Sequence, residues 1–115
     1  MDYTKIKTNR QFKDSTAYSK ERFEQLLVDY EQTYFENKGQ SYEEYVEENV
    51  TEPPKIKTLG QALFFVLFQL KNDLVFGALG AVFGMCGASA HNNFTQFLNL
   101  LEQTLEKKSD AKAKI

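Results

Sequence analysis

The 115 residues include 42% hydrophobic and 14% aromatic side chains, which predicts one globular domain with its own apolar core and excludes a disordered chain. The formal net charge of −2 counts against a nucleic-acid binder that acts through net positive charge. The single cysteine, Cys86, excludes an internal disulfide, and residues 1–10 lack the apolar core of a secretory signal, so we expect a cytoplasmic protein.

Residues 1–39 predict an arm followed by an amphipathic helix. Residues 8–15 hold one large apolar side chain, Phe12, which is typical of a short helical turn or an arm. After Ser19, apolar residues recur at helical spacing, at Phe23, Leu26, Leu27, Tyr30 and Tyr34. We predict that Ser19 caps this helix and that it ends near Gly39, because glycine readily adopts the left-handed conformation that closes helices.

Residues 40–57 are predicted to form an acidic tether. This segment contains glutamates at positions 43, 44, 47, 48 and 52. Their spacing does not match that of a metal- or substrate-binding site, so we expect these side chains to be solvated. It includes Pro53 and Pro54, which cannot continue a helix because proline lacks the backbone N–H and clashes with the preceding turn.

A three-helix unit is predicted over residues 58–109, and residues 110–115 are expected to fray. Thr58 and Gln61 match a capping box before the run LGQALFFVLFQL, which is apolar on nearly every side, as in a helix central to a core. Residues 71–73 predict a turn. Residues 74–83 then predict a short helix that Gly84 ends, and residues 87–106 predict a longer helix with a polar side.

A short helix, a glycine corner and a longer helix with one polar side follow the plan of a helix-turn-helix. If Phe76 is the first position of that motif, Gly80 stands at the small fifth position and Gly84 at the ninth, where the chain reverses. We therefore predict an all-α fold, a small bundle of four or five helices that contains a helix-turn-helix.

The chain resembles the N-terminal helix-turn-helix region of bacterial insertion-sequence transposases that have an acidic-triad nuclease domain. The resemblance covers most of the chain and is clearest in the segments KTLGQALFFVLFQLK and LGAVFGM. In that family this region recognises the terminal repeats of the element, and a following RNase H-like domain performs transposition through metal-binding carboxylates. The resemblance implies a DNA-binding module that has no catalytic residues, metal or cofactor of its own.

The resemblance and the polar side of the last helix together predict a DNA-binding surface. The side chains expected to face the groove are Ser89, His91, Asn92, Thr95 and Gln96. The phosphate contacts are expected from Lys55, Lys57 and Lys71, and also from Lys107 and Lys108. Because Cys86 replaces the family's capping serine and the recognition helix lacks Arg and Lys, we expect weak binding to duplex DNA.

Two other interpretations remain open from the residues alone. A helical interaction protein could bind a full-length transposase or a second copy through exposed aromatic side chains, such as Tyr42, Tyr45 and Phe76. The uncharged residues 74–90 contain Gly80-x-x-x-Gly84, a spacing found in membrane helices, but this stretch falls short of the roughly 20 residues that cross a bilayer, so no membrane is expected.

Overall fold

The computed structural model describes residues 2–49 and 55–113, with side chains for residues 2–48 and 55–108. Within these ranges the fold is all-α, as predicted, with a short 3-10 helix, six α-helices and no strand. The 3-10 helix is Tyr3–Lys5, and the α-helices are α1 Asn9–Thr16, α2 Lys20–Lys38, α3 Tyr42–Asn49, α4 Leu59–Asn72, α5 Phe76–Phe83 and α6 Gly87–Ala113. The expected four or five helices therefore become six, because α1 and α3 are each a regular helix of eight residues.

The helix ends predicted at Ser19, Gly39 and Thr58 are confirmed, whereas α6 continues to Ala113, into the tail predicted to fray from residue 110. Ser19 Oγ accepts a hydrogen bond from Arg22 N at 3.3 Å, and Gly39 ends α2 with a φ of 73°. Thr58 Oγ1 accepts a hydrogen bond from Gln61 N at 3.1 Å. The side chain of Gln61 reaches back to Lys57 N at 2.9 Å, one residue before the cap. The bonds from Arg22 N and Gln61 N satisfy backbone donors that the first helical turn leaves without partners.

Helix α4 is the central element of the core, as its all-round apolar sequence predicted. Six consecutive side chains of this helix are buried, from Ala62 to Leu67. Four other helices each contribute one phenylalanine that surrounds α4 or completes the core. These are Phe12 of α1, Phe23 of α2, Phe83 of α5 and Phe97 of α6. Every other helix therefore packs on this one helix or on one of its direct neighbours.

The tether predicted for residues 40–57 is wrong in its first part, since Tyr42–Asn49 form α3. Ser41 Oγ caps this helix by accepting a hydrogen bond from Glu44 N at 3.2 Å, and glutamates in the first turn complement the helix dipole. Tyr42 is 7% exposed, and its hydroxyl donates to Ile56 O at 2.7 Å. Residues Glu52, Pro53 and Pro54 lie outside the described ranges.

Tyr42 is therefore not one of the exposed aromatic side chains that the interaction hypothesis required, because it packs into the core. Its ring lies edge-on to that of Phe97 at 5.7 Å. Phe76 is half-buried against α6, whereas Tyr45 is 41% exposed. Of the three aromatic side chains named for protein binding, Tyr45 is thus the most exposed.

The uncharged residues 74–90 do not form one continuous helix. Helix α5 takes eight of them, the chain turns at Gly84, and α6 begins at Gly87. Over the two described ranges, no helix combines the length and the apolar character needed to cross a bilayer.

Candidate nucleic-acid interface

The corner between α5 and α6 lies at Gly84, as predicted. Gly84 has a φ of 77°, in the left-handed region that strains residues with a Cβ atom. The next residue, Met85, donates its N–H to Gly80 O at 2.8 Å, which satisfies a carbonyl at the end of α5. The chain therefore stops α5 and turns back within three residues, so that α6 begins beside it.

The two helices of the corner pack backbone to backbone. A Cβ atom on Gly80 would lie 2.2 Å from Met85 O, and one on Gly87 would lie 3.2 Å from Gly77 N. At Gly80 the neighbour is a main-chain carbonyl, so it cannot move aside as the end of a side chain can. Glycine at position 80 is thus required by the close approach of α5 to the start of α6.

The first three turns of α6 present an exposed polar stripe, which we define as Ser89, His91, Asn92, Thr95 and Gln96. Four of these side chains are exposed, and Ser89 is half-buried. In the part of the chain that the structure describes, no hydrogen bond occupies the side chains of Asn92 and Gln96. All five predicted groove-facing residues therefore lie on one helix, and their donors and acceptors are largely available to a partner.

Two members of the polar stripe are held in place by neighbours. The ring of His91 lies edge-on against Phe76, with the ring centres 4.9 Å apart. The hydroxyl of Thr95 donates to His91 O at 2.9 Å, which leaves its oxygen as an acceptor. Asn93, by contrast, turns inward and donates to Ser89 O at 2.9 Å.

Cys86 immediately precedes α6, where the resembled family has a capping serine. Its Sγ lies 3.3 Å from Ser89 Oγ. The Ser89 hydroxyl and backbone N–H lower the pKa of the exposed Cys86 thiol, because both stabilise the thiolate. Ser89 thus belongs to the polar stripe and also contacts Cys86 at the end of the corner.

The lysines predicted to contact phosphate are not brought together. Lys55 and Lys57 precede α4, where Glu43 of the acidic helix α3 accepts a hydrogen bond from Leu59 N at 3.3 Å. Lys71 lies in the last turn of α4, and a 14-residue helix is about 21 Å long. These lysines therefore cannot form one compact phosphate-binding patch.

Lys107 and Lys108 are also separate from the polar stripe. Lys107 forms an ion pair with Glu36, and Lys108 Nζ lies 3.1 Å from Asp29 Oδ2. The hydrogen bond from Lys107 lowers the pKa of the exposed Glu36 carboxyl. Both lysines thus offset the acidic charge of α2.

A basic segment that the sequence reasoning missed lies at the N-terminus. Residues 2–22 contain six basic and three acidic side chains, whereas residues 24–49 contain eight acidic and one basic. A count over residues 1–40 gives seven of each, so it averages the two regions and hides the separation. A shorter counting window would have found it.

No metal centre is visible in the described residues, where no group of three or more His, Cys, Asp and Glu side chains could hold an ion. His91 and Cys86 both lie near the corner, but they provide only two potential ligands. Zinc in proteins commonly takes four protein ligands in structural sites and three in catalytic sites, so these two residues do not make a zinc site by themselves.

No protein-family model, characterised protein or solved structure matches this chain. The resemblance to transposase N-terminal regions therefore depends on the segments KTLGQALFFVLFQLK and LGAVFGM.

Proposed function

We propose that this protein binds double-stranded DNA by placing the polar stripe of α6 in the major groove, as the N-terminal region of insertion-sequence transposases does. The observation that carries the proposal is the rigid corner, which holds α6 against α5 and leaves one side of α6 exposed. The major groove is about 12 Å wide and accepts a helix with its side chains.

The side chains of the polar stripe suit base recognition by hydrogen bonding. A carboxamide can pair with the N6 and N7 edge of adenine, and Asn92 and Gln96 are one helical turn apart on the same face. Four residues of helix rise roughly 6 Å, so these two amides can reach bases about two steps apart. We therefore expect a preference for sites that contain adenine at two nearby positions.

The test is a fluorescence-anisotropy titration at low salt with two duplexes, the terminal repeat that flanks the gene and a shuffled duplex of the same composition. Asn92→Ala and Gln96→Ala should each reduce the preference for the repeat by about 1–3 kcal/mol, since each removes a base contact. Gln25→Ala, an exposed glutamine on α2, is the matched control and should change nothing. Failure of the unaltered protein to bind either duplex would refute the proposal.

Self-association is a second candidate function, and the exposed apolar side chains at the junction of α4 and α5 favour it. Val75 is 76% exposed and Leu70 is 53% exposed. Both border a groove that also includes Leu74, Phe76 and Phe94. Light scattering tests this candidate: a dimer that Val75→Asp dissociates supports it, and a monomer at high concentration rules it out.

A further inference from the structure

We propose that the basic segment, residues 2–22, binds the DNA phosphates beside the polar stripe of α6. This inference rests on the proposed DNA binding and assigns its electrostatic part to residues other than Lys55 and Lys57.

The cations of the basic segment are available to a partner. Five of the six are exposed, at Lys5, Lys7, Arg10, Lys13 and Arg22. No ion pair occupies any of them in the described structure, in contrast to Lys107 and Lys108, and the Arg22 guanidinium lies over the Tyr18 ring at 5.3 Å. Each Lys or Arg that neutralises a phosphate releases condensed counterions from the duplex, which is the main source of sequence-independent affinity.

Two of the three acidic side chains in the segment have local structural partners. Asp2 accepts hydrogen bonds from Thr4 N at 3.0 Å and Thr4 Oγ1 at 2.6 Å. Glu21 lies 3.5 Å from Asn9 Nδ2. Hydrogen bonds from Thr4 lower the pKa of the Asp2 carboxyl, and hydrogen bonds from the Glu21 backbone N–H and from Asn9 lower the pKa of the Glu21 carboxyl. Both carboxyls remain charged, but the basic side chains of the segment still outnumber the acidic ones two to one.

The basic segment is fixed to the core at two aromatic residues and is therefore part of the folded domain. Tyr3 stacks on Phe64 with ring centres 5.6 Å apart, and its hydroxyl occupies the space where a Cβ on Gly60 would lie, at 2.1 Å. Phe12 is 2% exposed and packs edge-on against Phe23 at 5.0 Å. Cations on such an anchored segment lose less conformational entropy on binding than cations on a loose tail.

The same aromatic cluster places the segment next to the corner. The ring of Phe64 lies 5.8 Å from that of Phe12 on α1 and 6.2 Å from that of Phe83, the residue before Gly84. Helices α1 and α5 therefore pack on the same side of α4. At the end of α4, Asn72 Nδ2 donates to Ser15 O at 3.3 Å, which brings Lys71 next to the end of α1.

This arrangement explains how a chain with a net charge of −2 can bind a polyanion. The acidic side chains are concentrated on the later part of α2 and on α3, and the lysines at the end of α6 neutralise some of them. The resulting charge separation orients the basic side of the molecule toward DNA, because an approaching duplex responds to local potential rather than to net charge.

The experiment compares two double variants that remove the same charge. Arg10→Gln with Lys13→Gln should weaken binding to the repeat and to the shuffled duplex by the same factor, about tenfold or more at moderate salt. The slope of log K against log salt should fall by about 2, since two phosphate contacts are lost. Lys55→Gln with Lys57→Gln is the control, and its slope should equal that of the unaltered protein.

The outcomes separate this inference from the proposed function. If the unaltered protein binds DNA and the Arg10 and Lys13 variant keeps its full salt slope, the basic segment is not the phosphate-binding part, although DNA binding stands. An equal loss of slope in both variants would also overturn the inference, because net charge alone would then explain the effect. Absence of binding by the unaltered protein would overturn both proposals. Circular dichroism of each variant verifies that the helices are retained.

Discussion

The hydroxyl of Tyr30 on α2 donates a hydrogen bond to the main-chain carbonyl of Phe97 on α6 at 2.8 Å. Both residues are buried, with exposures of 0% and 2%. They are separated by 67 positions along the chain, so this bond fixes the long α6 helix against α2 and thereby sets the direction in which the polar stripe faces.

Tyr30→Phe should lower the free energy of unfolding by about 1 kcal/mol, because it removes a buried hydrogen bond and keeps the ring that fills the core. Urea denaturation followed by circular dichroism measures this change. Tyr18→Phe is the control, since the Tyr18 hydroxyl makes no hydrogen bond within the described residues. An equal loss in both variants would contradict a specific role for the Tyr30 bond.

Stability should fall at alkaline pH. Burial raises the pKa of Tyr42 to about 12 and raises the pKa of Tyr30 further, whereas tyrosines in an unfolded chain ionise near pH 10. Above that value the unfolded state loses protons that the folded state retains, so the stabilisation present at neutral pH is lost progressively from about pH 10 upward. Thermal melts between pH 7 and pH 11 measure this loss of stability. The melting temperature of Tyr42→Phe should fall less with rising pH than that of the unaltered protein.

Two glycines of α5 should respond oppositely to alanine. Gly80→Ala places a methyl group 2.2 Å from Met85 O and should destabilise the fold by about 1–3 kcal/mol or more, as overpacking does. Gly77→Ala meets nothing within 4 Å and should be neutral or stabilise the helix by up to about 1 kcal/mol. Chemical denaturation of both variants compares them, and similar stabilities would show that α5 and α6 are not in close contact at Gly80.

The cap of the central helix should contribute measurably to stability. Thr58→Ala removes the acceptor for Gln61 N and should cost about 1 kcal/mol, whereas Thr58→Ser keeps the hydroxyl and should restore most of it. Denaturation midpoints of the two variants provide the measurement. If serine proved as destabilising as alanine, the loss would reflect packing of the threonine methyl group instead of the cap.

The contacts that the sequence predicted correctly are those made between near neighbours in the chain. The caps at Ser19 and Thr58 each join residues three apart, and Gly39 and Gly84 end helices through their own backbone conformation. The apolar run of α4 identified the centre of the core, because a helix with large apolar side chains on nearly every side has to be buried on nearly every side.

The features that the sequence did not predict depend on residues far apart. Helix α3 is held by Tyr42, whose partners Ile56 and Phe97 lie 14 and 55 positions away. Lys107 was expected at the DNA backbone, but it pairs with Glu36, which lies 71 positions away. The local sequence pattern cannot predict such partners, because it does not show which helices pack against each other.

The amino-acid sequence by itself determined that the chain is helical, where most of its helices begin and end, and that a glycine corner precedes a helix with one polar side. Only the tertiary structure decided that Phe64 joins α1 of the basic segment to the end of α5, while Lys107 and Lys108 pair with acidic side chains of α2. Helix formation depends on residues within one or two turns, whereas the placement of charge on a surface depends on how Phe64 packs against Phe12 and Phe83 together.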